Sequence, residues 1–169
     1  LLLAVDQGNN IARANLGLHY ANGLGIKKDL KEAIRLYEIA AEAGILLAMN
    51  NLAWHYTEAQ GVKKDLKEAI RLYKKAAASG NVFSMGSLAW HYATGEGVKK
   101  DLKEAIRLYK KAAEAGNLKA MGNLGWHYST GEGVKEDFKE AIRLFKICAK
   151  VNFHLWVILG YVHILKISP

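Results

Sequence analysis

The stretch DLKEAIRLY begins at Asp29, Asp65 and Asp101, and a near copy, DFKEAIRLF, begins at Asp137, each start 36 residues after the last. A fixed period of this size is the mark of stacked supersecondary units, not of one closed core. Every other reading of the chain follows from it.

Gly80 to Gly116 serves as the model unit. Met85, Leu88, Ala89 and Tyr92 recur at helical spacing, which predicts a first helix from about Asn81 to Thr94. Asn81 is its N-cap candidate, and Gly95-Glu96-Gly97 ends it. A second helix starts at Asp101, where Asp101 and Glu104 have capping-box spacing. Ala105, Leu108, Tyr109, Ala112 and Ala113 form its apolar stripe, and Gly116 stops it. The loop of the second unit, Glu58-Ala59-Gln60, replaces the usual glycine and is expected to differ.

Such a hairpin leaves one apolar face uncovered, so neighbours must stack. The expected fold is all-α: a right-handed α-solenoid of antiparallel helix hairpins. Ala33, Ala69, Ala105 and Ala141 stand where helices must approach closely. The repeat solenoid covers residues 1–152, with a partial unit at 1–8 and full units at 9–44, 45–80, 81–116 and 117–152. Residues 153–169 are a diverged, apolar partial repeat, in which His163 keeps register with His127.

Composition adds a few bounds. With 51% apolar residues among 169, the chain can bury a large core, spread along the stack as one domain. Its net charge is +8, but the second-helix Lys and Arg alternate with Glu, as on a solvated outer face. Lysine pairs at 27–28, 63–64 and 99–100 line an edge; without a groove-reading motif, nucleic acid is not the expected partner. Cys148 is the one cysteine, so no intrachain disulfide forms. The apolar run from Phe153 to Leu165 falls short of the roughly 20 residues a membrane span needs. No signal-peptide pattern is visible. Leu1 falls mid-repeat, so the N-terminus reads as truncated, and the compartment stays open between cytoplasm and, after signal removal, periplasm or secretion.

Leu124, Gly125, Tyr128, Gly131, Gly133, Val134 and Asp137 resemble the Sel-1-like repeat, a branch of the tetratricopeptide-like helical solenoids. So do Leu52, Ala53, Tyr56, Gly61, Val62, Asp65, Ala69, Tyr73, Ala76, Ala77 and Gly80, and the resemblance runs over about residues 1–152. It implies an adaptor or scaffold in signalling, quality control or host-cell interaction, often bacterial, and not an enzyme. Cysteine-rich members staple each hairpin with a disulfide; Cys148 alone puts this chain outside that group.

Two ladders are candidates for chemistry. His19, His55, His91, His127 and His163 recur once per unit, so adjacent imidazoles lie roughly 10 Å apart by helix-packing distance. Metal ligands must converge within about 2.0–2.3 Å of one ion. No metal site, catalytic group or cofactor is therefore expected, and the favoured role is a polar position between helices.

Trp54, Trp90 and Trp126 form the second ladder, with Leu18 and Val162 at its ends. The resemblance places the first helix of each hairpin on a concave face. The Trp column then lines a groove, with Asn50 a turn earlier and Thr57 a turn later. The opposing reading packs the same indoles between hairpins as core.

The function expected is protein–protein interaction through the groove, at Asn50, Trp54, Thr57, Trp90 and Trp126. The alternative is a binding module for a cell-wall or surface polysaccharide, since aromatic rows stack sugars. Phe153, Trp156 and Leu159 form a further candidate contact, through which the chain could self-associate.

Overall fold

The computed structural model describes residues 2–151, which divide into two compact units, one ending at Ser84 and the other beginning at Met85. Among the described residues every regular element is an α-helix. Unit 1 holds α1 (Leu2–Asp6), α2 (Asn10–Asn22), α3 (Leu30–Glu42), α4 (Leu46–Glu58) and α5 (Leu66–Ala78), each packed on the next. α6 (Val82–Thr94) starts at the end of unit 1 and lies mostly in unit 2. Unit 2 continues with α7 (Leu102–Glu114), α8 (Leu118–Thr130) and α9 (Phe138–Val151); α8 packs on both α7 and α9.

Asp29, Asp65, Asp101 and Asp137 cap α3, α5, α7 and α9, each carboxylate accepting the backbone N–H three residues on, at 3.0, 2.9, 3.0 and 3.0 Å. The reciprocal half of the expected capping box does not form. The Asp N–H instead donates to the carbonyl of Tyr20, Tyr56, Tyr92 or Tyr128, which ties the end of one helix to the start of the next. Left without that donor, Glu32, Glu68, Glu104 and Glu140 pair with Arg35, Arg71, Arg107 and Arg143 at 2.6 Å.

The core is lined by the predicted alanines: Ala33, Ala69, Ala105 and Ala141 are fully buried, as are Tyr37, Tyr73 and Tyr109. Small residues let the helices close on one another, and the aromatic rings fill the space between them.

The loops stack through glycine. A Cβ on Gly61 would stand 2.6 Å from Leu30 Cβ, and one on Gly133 2.8 Å from Leu102 Cβ. Both glycines also take positive φ, +75° and +77°, so the loop of one hairpin rests directly on the second helix of the hairpin before it.

The loop at Ala59 keeps the same course, contrary to the sequence expectation. Ala59 adopts φ +53°, the left-handed turn that Gly23 and Gly131 make at +71° and +70°. Its N–H caps the His55 carbonyl as those glycines cap His19 and His127. The His55 staple to the Gln60 carbonyl closes the same loop, and Ala59 carries the strain that a Cβ brings there.

Candidate functional site

The candidate residues recur at the last turn of α4 in unit 1 and at the last turns of α6 and α8 in unit 2. His55, His91 and His127 are buried, and each Nδ1 lies 2.8 Å from a loop carbonyl, of Gln60, Glu96 and Glu132 respectively. His19 makes the same contact to Leu24 at 2.7 Å. A carbonyl only accepts, so Nδ1 carries the proton and donates. The imidazole ladder is thus a set of loop staples, each ring committed to its own hairpin. Burial holds His55 and His127 below their ordinary pKa, against the pull of the loop carbonyl, and favours the neutral ring.

Three of these staples carry an indole. Trp54, Trp90 and Trp126 meet the following histidine edge-on, at ring-centroid distances of 5.0, 5.0 and 4.9 Å. On its other side the imidazole meets a tyrosine of the preceding second helix: Tyr37 against His55 and Tyr109 against His127, both at 5.7 Å. Burial pushes the Tyr37 hydroxyl up to about 12 and raises that of Tyr109 further. Both phenols stay protonated and act as packing and hydrogen-bonding groups; Tyr109 accepts from Asn123 Nδ2 at 3.1 Å.

The indoles themselves reach solvent. Trp54 is 48% exposed, Trp90 37% and Trp126 37%. In unit 2, Trp90 and Trp126 flank a cavity of about 500 Å3 with Tyr109 and Asn123 in its lining, where Lys100 and Glu132 form an ion pair at 3.1 Å. Aromatic walls with a few fixed polar groups suit an inserted side chain.

The two predicted neighbours of Trp54 are placed otherwise. Thr57 is buried, its hydroxyl donating to the Ala53 carbonyl at 2.9 Å. Asn50 is half-buried and accepts from the Ser84 hydroxyl at 3.0 Å. Steps of three or four residues turn a side chain some 40–60° around a helix, enough to carry these positions inward. A step of seven turns it back to within about 20°. Leu47, Ile11 and Phe83 stand seven residues before Trp54, Leu18 and Trp90, and they are 37%, 60% and 66% exposed. These apolar partners were not singled out in the sequence; their seven-residue offset from the Trp column was the available signal. Lys119 takes the position on α8. Phe153, Trp156 and Leu159 lie outside the described residues.

A model of the Sel1 repeat matches residues 10–45, 46–81, 83–117 and 118–150. The chain belongs to the Sel1 repeat family. Its four matched Sel1 repeats coincide with the hairpins α2–α3, α4–α5, α6–α7 and α8–α9. No curated protein matches the sequence. Among solved structures, a Sel1 repeat protein from Oxalobacter formigenes is similar at 32% identity and TM-score 0.74, over 89% of this chain and 62% of that one. The protein c5321, a protective antigen present in uropathogenic Escherichia coli strains and displaying an SLR fold, is similar at 35% identity and TM-score 0.79. The similarity spans 88% of this chain and 32% of that one, so both structures are of longer chains. The fold class is therefore the all-α helical-repeat solenoid. Sel1 repeats are in general protein–protein interaction modules, a scaffold type without enzymatic chemistry. No described helix is long and apolar enough to cross a membrane.

Proposed function

We propose that the chain binds a partner protein through the exposed face of its first helices, with Trp54, Trp90 and Trp126 as anchors. The observation that carries this reading is the recurrent indole: three large aromatics, each at least 37% exposed and each held by a stapled histidine. A rigid, half-exposed indole loses little conformational freedom on binding and offers a large apolar area, the profile of an interface hot spot. Sugar stacking would use the same indoles and the polar groups beside Trp90 and Trp126. The exposed Leu47 and Phe83, seven residues before Trp54 and Trp90 on the same helices, extend the apolar surface and favour a protein segment over a polysaccharide.

The test is a comparison of Ala variants on two faces. The triple variant Trp54→Ala, Trp90→Ala, Trp126→Ala should lose the proteins that the native chain retains from lysate. The variant Arg35→Ala, Arg71→Ala, Arg107→Ala should keep them. Equal retention by both would refute the reading, provided far-ultraviolet circular dichroism shows both folded.

A further inference from the structure

The two units build the Trp site from matching positions but charge it differently. In unit 2 the loop lysine Lys100 is tied to Glu132 at 3.1 Å, which neutralises the cation in the Trp90–Trp126 cavity. In unit 1 the matching residues are Lys28 and Gln60. Gln60 gives its backbone carbonyl to His55 and brings no charge. Lys28 is exposed and has no carboxylate partner among the described residues. Lys100 and Trp126 line one cavity, and Lys28 and Trp54 hold the same two places in the repeat, 72 residues earlier.

The surroundings have the same sign. Lys27 and Lys63 are exposed in the loops of unit 1, whereas Asp29 and Asp65 are engaged as helix caps. The other exposed acids of the unit lie on its helices: Asp6 on α1, Glu38 and Glu42 on α3, and Glu58 at the end of α4. The helices that these loops follow, α2 and α4, expose Ile11, Leu18, Leu47 and Trp54. An apolar face bordered by a lysine without a partner complements a ligand that pairs an apolar group with an anion. A carboxylate entering the unit 2 cavity would have to displace Glu132; among the described residues no ion pair has to break at Lys28.

Building on the partner-binding reading above, we propose that this face of unit 1 takes an acidic peptide segment. A large apolar side chain of the segment lies on Trp54, and a neighbouring Asp or Glu carboxylate meets Lys28. Specificity thus differs between the units, with the acidic preference confined to the unit that has Gln60.

The experiment is selection of the whole folded chain against a phage-displayed library of random peptides. Affinities of selected synthetic peptides are then read by fluorescence anisotropy. Selected peptides that need Trp54 should place an acid next to an aromatic or large aliphatic residue. Lys28→Glu should weaken them by about fivefold or more, the scale of one charge contact at a half-open site. Gln60→Glu, which offers Lys28 an internal partner like that of Lys100, should weaken them in the same direction. Lys31→Glu, with the same change in net charge on α3, should not. If peptides need Trp54 but show no acidic preference and bind Lys28→Glu equally well, the acidic inference fails and the groove reading stands. If no selected peptide depends on Trp54, the groove reading fails with it.

Discussion

His127 lies with Nδ1 2.8 Å from the Glu132 carbonyl and its ring edge-on to Trp126 at 4.9 Å, so one imidazole fixes both a glycine loop and an exposed indole. The staple lets a surface aromatic stand in one orientation without being buried. His127→Ala removes a buried hydrogen bond and leaves a cavity, and should cost about 2–4 kcal/mol in urea unfolding. His127→Gln, which can still donate to the carbonyl, should recover part of that loss.

The same staples set a pH dependence. Burial, foremost, lowers the folded-state pKa of His55 and His127 from the ordinary 6.5. The unfolded chain therefore binds protons at a higher pH than the folded one. Stability is fully present above 6.5 and falls as pH drops below it towards the folded-state pKa. The lowered carboxyl groups of Glu32, Glu104 and Glu140, hydrogen-bonded by Arg35, Arg107 and Arg143, act in the same direction below their ordinary 4.5. Thermal melts between pH 8 and pH 5 should show a fall in Tm, reduced in His55→Phe.

Ala59 offers a gain. At φ +53° an alanine is strained where a glycine is not, and the flanking loop already has the glycine conformation. Ala59→Gly should raise stability by up to about 1 kcal/mol, the relief of left-handed strain less the added freedom of the unfolded chain. A midpoint of denaturation at or below that of the native chain would contradict the loop geometry.

Two loop glycines separate strain from collision. Gly25 has φ +72° and no atom within 4 Å of an added Cβ, so Gly25→Ala should cost about 1–2 kcal/mol from backbone strain alone. Gly61 has a similar φ, but its added Cβ would meet Leu30 Cβ at 2.6 Å. Gly61→Ala should cost about 1–3 kcal/mol more, because hairpin stacking must shift to admit the methyl group.

Much of the fold was legible because the repeat states it four times. The Asp caps, the alanine column and the glycine stops are local signals, and the local backbone obeys them. What escaped reading depended on a second partner. Glu104 fits the capping-box pattern, yet the Asp101 N–H was already taken by the Tyr92 carbonyl, from the helix before. Asn50 and Thr57 flank Trp54 along the helix, but the turn of the helix carries them toward the core and brings Leu47 out. Spacing alone also left the tryptophans open between groove and core. Their exposure depends on how neighbouring helices are placed, and that is a tertiary property.

The most direct test of the account is site-specific photocrosslinking. A benzoylphenylalanine placed in turn at 54, 90 and 126, and at 35, 71 and 107 as the opposite set, reports which face touches a bound partner. The account predicts partner crosslinks from 54, 90 and 126 and none from 35, 71 and 107. Crosslinks confined to the arginine positions would contradict it and would place the binding surface on the second helices.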